Sequence, residues 1–252
     1  MFAALSAAVF ASCTKEQQTV TPSAPSVEAN WSSSAAFGSW SNGGYDFLND
    51  IWGTGSPAPG PQTIWANSYH DWGVWAQHTG SGIKSYPHVG KTINNYVNSL
   101  SSCKSTFAVI NPSGGSFSTD YDIWLNTHQF EIMLWTNKQG NVGPIADQYD
   151  SNGGIPYYTN QNIGGHTWTV YAGNGQNAGQ RVFSFIRTSN TAGGTIDLLA
   201  IFHWLQWAAT QKSAFGGFTN PKVQDVQFGW EITNTDGVGK NFGCTNFDIT
   251  NN

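Results

Sequence analysis

From residue 31 to residue 187, apolar residues tend to occupy every second position, in short runs separated by Gly, Asn, Pro and Ser clusters. GYDFLNDIW, QTIWANSYHDWGVWAQ, TFAVINP, TDYDIWL, QFEIMLWT, HTWTVYAG and QRVFSFIRT read as strands, because a two-residue period puts alternate side chains on opposite faces. One stretch departs from this. In TIDLLAIFHWLQWAATQ, residues 195 to 211, Leu198, Ile201, Phe202, Leu205 and Ala209 follow helical spacing and form one apolar face. Thr195 with Asp197 supplies its N-terminal signal, and Gly216-Gly217 follows its end. VQFGWEI and a last run near NFDIT return to strand. Many strands and one late helix predict a β-sandwich or jelly roll with the helix packed on one sheet.

Composition narrows the class. Aromatic residues make up 14% of the 252 residues and charged residues only 10%, as in exported strand- and turn-rich domains. A net charge of −5 with scattered Lys and Arg excludes a nucleic-acid surface. FAALSAAVFA, residues 2 to 11, is too short to span a bilayer and reads as the apolar part of a signal peptide. FASC resembles a bacterial lipoprotein signal, which would make Cys13 a lipidated N-terminus and the only membrane attachment. An ordinary secretory signal is the alternative. The expected organisation is a signal over 1–13, a Ser/Thr/Pro-rich tether over 14–30 and one domain over 31–252. Cys103 and Cys244 could form a bridge or remain buried thiols; sequence alone leaves both open.

GNGQNAG at 173 to 179 lacks dinucleotide-loop spacing and is a hairpin loop between strands. DQYDSNGG lacks the spacing of a calcium loop, and no histidine has metal-ligand spacing, so neither metal nor cofactor is expected.

The carboxylates change the picture. The chain has four glutamates, and only Glu131 and Glu231 lie in the predicted domain. In FEIMLW, Glu131 shares a face with Met133 and Trp135, opposite Phe130, Ile132 and Leu134. Asp122 and Trp124 of DYDIWL fall on the Glu131 face whether the NTHQ turn makes a two- or a four-residue loop. In VQFGWEI, Glu231 lies with Gln227 and Gly229, opposite Val226, Phe228, Trp230 and Ile232. A lone strand carboxylate usually just faces water. Two among aromatic neighbours are costly without a purpose. On neighbouring strands, about 4.8 Å apart, they would suit the separation of about 5–5.5 Å that a retaining glycosidase needs.

These residues carry a resemblance. EIMLWTNKQGNVGPI (131 to 145) and FGWE (228 to 231) are similar to the nucleophile and acid/base strands of glycoside hydrolase family 12. DYDIWL, NDIWG (49 to 53), SYHDWGVW (68 to 75), IKSYPHVG (83 to 90) and HTWTVYAGNGQNAGQRVFSFI extend the likeness in order over most of residues 40 to 232. The part before Trp40 matches poorly. The resemblance implies a concanavalin-like jelly roll of two antiparallel sheets with the helix on the convex side. It implies a retaining endo-β-1,4-glucanase with Glu131 as nucleophile, Glu231 as general acid/base and Asp122 assisting, protonated and hydrogen-bonded to Glu131. Trp52 and Trp135 match positions that stack on sugar rings, Met133 lines the floor, and Tyr69 and His70 are candidates for hydroxyl contacts. Trp72, Trp75 and Trp124 remain open between core and groove. The expected partner is a β-glucan chain, bound by a monomer. A xyloglucanase is the closest rival; a non-catalytic carbohydrate-binding jelly roll would keep the tryptophans without two facing glutamates.

Overall fold

The computed structural model describes residues 28–53 and 55–252. The predicted leader, Cys13 and most of the tether lie outside them. In chain order the strands are β1 (Trp31–Ser33), β2 (Ser39–Asn42), β3 (Tyr45–Leu48), β4 (Gln62–Ser68), β5 (Asp71–Ala76) and β6 (His88–Tyr96). Next come β7 (Cys103–Ile110), β8 (Ser116–Leu125), β9 (Phe130–Gln139), β10 (Tyr149–Asp150), β11 (Gly153–Gly154) and β12 (Tyr158–Ile163). β13 (His166–Asn174), β14 (Arg181–Arg187) and β15 (Gly193–Asp197) lead into the helix α1 (Leu198–Gln211), and β16 (Lys222–Asn234) and β17 (Lys240–Asn251) close the chain.

Two sheets form the sandwich. One has six strands in the order β1-β4-β5-β17-β7-β15, the other nine in the order β12-β13-β14-β9-β8-β16-β6-β3-β2, and β10 and β11 make a separate ribbon. Pairing is antiparallel throughout except for β14 beside β9, which is parallel. The expected all-antiparallel sheets are corrected at that one seam: the β13–β14 hairpin lays its second strand along β9 in the same direction.

The alternation in the sequence sets the core. Tyr121, Ile123 and Leu125, then Phe130, Ile132 and Leu134, then Val226, Phe228, Trp230 and Ile232 are all buried between the sheets. Phe228 stacks on Phe247 of the opposite sheet at 5.1 Å, and Trp72 meets Trp230 edge-on at 5.0 Å. Trp72 is therefore a core residue, stabilising by burial on the order of 2–3 kcal/mol, while Trp75, of opposite parity on β5, is buried against Gly239 outside that core.

The helix covers the part of the nine-stranded sheet that the shorter sheet leaves open. Phe185 packs against Trp204, and Phe183 against Phe215 just beyond the helix end. The helix starts three residues later than expected. Thr195 belongs to β15, paired with Thr106, and the Asp197 side chain caps the helix by accepting from the Ala200 N–H at 3.0 Å.

Cys103 and Cys244 are both buried free thiols. In the β17–β7 register Cys103 lies opposite Asn251, while Cys244 lies opposite Val109, at the other end of the ladder. Thermal unfolding is accordingly expected to show the same midpoint with and without a thiol reductant; a reductant-dependent fall in Tm would contradict this pairing.

Candidate active site

Three neighbouring strands build the site. A four-residue loop, 126–129, joins β8 to β9, with Asn126, Thr127 and His128 at positive φ, and it sets the register Trp124↔Glu131 and Asp122↔Met133. Asp122 thus lies one diagonal step from Glu131. On its other side Asp122 faces Gln227 of β16, and Glu231 lies opposite Ser118. The expectation that Glu131 and Glu231 sit on adjacent strands is corrected: β8 runs between β9 and β16. Their strands lie two spacings apart, about 9–10 Å. The register also staggers them along β8, Glu131 opposite Trp124 and Glu231 opposite Ser118, and both side chains reach into the same cavity over the β8 floor. They are close enough for the charge of Glu131 to act on Glu231.

Above this floor lies a cavity of about 430 Å³ that both glutamates, Asp122, Trp52 and Trp124 help to line. Its size suits sugar rings, and no Lys or Arg is among the described residues lining it. Trp52 sits half-buried at its edge, on the segment after β3. That segment is anchored by the Gly53 N–H donating to Lys84 O at 2.9 Å. The buried Lys84 ammonium in turn donates to Pro57 O at 2.6 Å and Ser81 O at 2.7 Å.

Other sequence-based candidates lie elsewhere or offer less. Trp135 is only 2% exposed, packed with Met133 and Val182 beneath Val142 and Ile145. It lines the cavity beside Met133, with only a small part of its surface open. Met133 lines the groove. Tyr69 and His70 are corrected outright. They form the turn between β4 and β5 in the six-stranded sheet, where Tyr69 stacks on Tyr45 at 4.3 Å and His70 stands edge-on to Tyr69. Trp124 is resolved as a groove residue.

Residues that the sequence reading missed complete the site. Gln180 is buried and donates through Nε2 to Glu131 Oε2 at 2.7 Å. It is placed by the parallel pairing of Arg181 with Phe130 and Val182 with Glu131, a contact across 49 residues that no periodicity reveals. The expected hydrogen bond between Asp122 and Glu131 is absent: Asp122 Oδ1 has no partner among the described residues. His88 Nδ1–H donates to Tyr86 O at 2.7 Å, its ring stacked on Tyr86. Burial lowers His88 to about 4, so it is neutral. Asp50, also in the groove, is raised to about 6 by burial.

The carboxyls titrate in an ordered way. Burial raises Glu131 to about 7. Burial, and then the charge of Glu131, raises Glu231 to about 8. Asp122 is pushed well above the ordinary range by burial first and by Glu131 second. Between those two values Glu131 is predominantly ionised while Glu231 keeps its proton, the combination that a nucleophile and an acid require.

Among known proteins, the model of glycosyl hydrolase family 12 matches residues 12–252. The chain belongs to this family. Endoglucanase S of Pectobacterium parmentieri is 29% identical over 94% of this chain and 92% of its own length. The xyloglucanase domain of NopAA, a type three effector from Sinorhizobium fredii solved with cellobiose, is 41% identical, covering 88% of this chain and 99% of that one at a TM-score of 0.81. The family 12 xyloglucanase of Bacillus licheniformis is 26% identical over 88% of this chain and all of its own, at 0.70. The family 12 protein is thus a glycoside hydrolase of the cellulase type on a jelly roll.

Two consequences can be measured. Gln180→Leu removes a hydrogen bond that favours the ionised form of Glu131, and should lower kcat by about 10- to 100-fold while moving the acid limb of the pH profile upward. Unchanged kinetics would mean that Gln180 is only a filler. In wild type, kcat/KM should peak between about 7 and about 8. It falls in acid as Glu131 gains a proton and in alkali as Glu231 loses its own; a single plateau through that range would refute the assignment.

Proposed function

We propose that this family 12 protein hydrolyses internal β-1,4-glucosidic bonds of β-glucan chains with retention of configuration. The observation that carries the reading is a pair of buried glutamates raised to different degrees on one groove floor, with Asp122 between them. In the first step the Glu131 carboxylate attacks the anomeric carbon. The bond from that carbon to the leaving oxygen breaks, and Glu231 gives that oxygen its proton. In the second, Glu231 takes a proton from water, the water oxygen bonds to the anomeric carbon, and Glu131 is released as carboxylate. Asp122 keeps a proton beside Glu131 and limits the charge gathered on the floor. Trp52 supplies a ring edge or face to the sugar.

Xyloglucan is a second reading, supported by the 41% identity to a xyloglucanase domain. A polar side cavity of about 350 Å³ also adjoins the groove through Leu48, His88 and Gln227. It is lined by Ser41, Asp46, Thr92 and Asp225, and would take a branch sugar. Rates on carboxymethylcellulose, mixed-linkage glucan, xyloglucan and xylan separate the readings: linear glucans should lead under the first, xyloglucan under the second. Absence of hydrolysis on all β-glucans would overturn both. Proton NMR of freshly released sugar should show the β-anomer first; an initial α-anomer would exclude double displacement.

We read the protein as an exported monomer, held at the cell surface if Cys13 is lipidated. Labelled fatty acid should enter wild type and not Cys13→Ser, and its failure to enter wild type would leave plain secretion.

A further inference from the structure

The groove divides where it reaches β6 and β3. One arm carries Leu48, Asp50, Trp52 and His88. The other is the side cavity of about 350 Å³, one step along the same two strands, where Asp46 takes the place of Leu48 and Gly90 that of His88. A single cross-strand row joins this second arm to the catalytic floor. Asp122 on β8 lies opposite Gln227 on β16, Gln227 opposite Gly90 on β6, and Gly90 opposite Asp46 on β3. Thr92 and Asp225 pair one step beyond.

Gly90 is the gap in that row. Its φ is not in the left-handed region, so the backbone does not demand a glycine, and glycine inside a strand gives up packing. A Cβ at this position would meet Gln227 Cγ at 3.2 Å and the two Asp225 carboxyl oxygens at 3.3 and 3.4 Å. It would therefore project among the polar side chains of the second arm, not into backbone, and a larger side chain would fill the entrance.

The polar groups that line the arm suit one sugar ring. Ser41 Oγ–H donates to Asp46 Oδ1 at 2.5 Å, and Gln227 Nε2–H donates to Asp225 Oδ2 at 2.8 Å. Each carboxyl is thus fixed by one oxygen, while Asp46 Oδ2 and Asp225 Oδ1 have no side-chain donor among the described residues. These acceptors flank β6 from either side, and with the Thr92 hydroxyl they match the hydroxyl groups of a pyranose. No Lys or Arg is among the described residues lining the arm, so nothing there would hold an acidic substituent. The volume is near the lower end for ligand sites, about 300 Å³, which fits a single ring better than a length of chain. A linear glucan can follow only one arm, and Trp52 gives its own arm the aromatic surface. A branched glucan would use both.

We propose that Gly90 is a specificity-determining residue: its missing side chain keeps the groove open to the arm lined by Asp46 and Asp225, which seats a neutral pyranose branch while the glucan backbone lies along the Trp52 arm. This deepens the xyloglucan reading and rests on it.

Binding tests it without turnover. In Glu131→Gln protein, calorimetry should find a xyloglucan oligosaccharide bound about 10- to 100-fold tighter than the unbranched oligosaccharide of the same backbone length. Adding Gly90→Val, a residue type suited to strands, should abolish that difference by weakening the branched ligand alone. Asp46→Ala, at an exposed position where folding is not at stake, removes one acceptor and should narrow the difference by roughly 3- to 10-fold. Equal affinity of the parent for both ligands overturns the proposal, as does a preference that survives Gly90→Val or an equal loss on both ligands. If the branched ligand binds tighter through Gly90 yet wild type does not hydrolyse xyloglucan, the xyloglucan reading fails and the branch site stands.

Discussion

Glu131→Gln should lower kcat on soluble β-glucan by about 10⁴-fold or more in a protein that remains folded. The amide keeps the shape of the side chain and can still meet Gln180, but it cannot form the ester to the anomeric carbon. What remains is the contribution of binding and of Glu231 as acid. The role can be separated from a packing defect. Glu131→Ala should leave room for a small anion, and azide should then restore turnover by attacking from the face that Glu131 occupied, giving an α-glycosyl azide. Near-wild-type turnover of the glutamine variant, or a β-linked azide product, would remove Glu131 as nucleophile.

Glu231→Gln has the second largest expected effect, and its size should depend on the leaving group. For a glucan chain, which departs as a poor leaving group, loss of the acid should lower kcat by about 10³–10⁴-fold. For an aryl glycoside with an activated leaving group the first step needs little protonation, so the loss in kcat/KM should be much smaller, while kcat stays low because the second step still lacks its base. An equal loss of kcat/KM on both substrates would argue against an acid at this position. The variant should also be more stable in mild alkali. Glu231 is raised from 4.5 to about 8 in the folded protein, so between those values the fold binds a proton that the unfolded chain has lost. Wild-type stability therefore falls as pH rises through that window. Glutamine removes the titration, and at pH near 8 the variant's Tm should exceed wild type by on the order of 5 °C, with a smaller difference near pH 5. An active site that costs stability in this way is what burial of two acids implies.

The strand pattern was a good guide where one face is buried. Phe130, Ile132 and Leu134, with Tyr121, Ile123 and Leu125, lie in the core as their period predicts, because slipping the register by one would turn the whole set to water. The same alternation carried Glu131, Asp122 and Glu231 to one groove floor. It was a poor guide to the order of strands. A two-residue period says which way a side chain points but not which strand lies alongside, and so it missed β8 running between the two glutamates. Tyr69 and His70 were misjudged for a related reason: aromatic and polar residues in a strand-like run look alike on either sheet.

Asp120 shows both sides of this limit. Its parity with Asp122 was visible in TDYDIW, but its burial, and its place opposite Gly229 of β16, were not. Gln180 had no signal at all, since a loop residue has no period and its position beside Glu131 follows from the parallel seam of β14 on β9. Trp135 reads as a sugar platform, and the structure places it in the cavity lining, nearly all of it buried against Met133, Val182, Val142 and Ile145.

Local alternation and composition thus determined the strands, the single helix, the faces and the identity of the two glutamates, because these depend on neighbours within a few residues along the chain. Tertiary structure alone decided the strand order, the Gln180 partner of Glu131, and the burial that raises Glu131 and Glu231. Desolvation and charge coupling depend on distances in space, and those are set only when strands from opposite ends of the chain pack into one sheet.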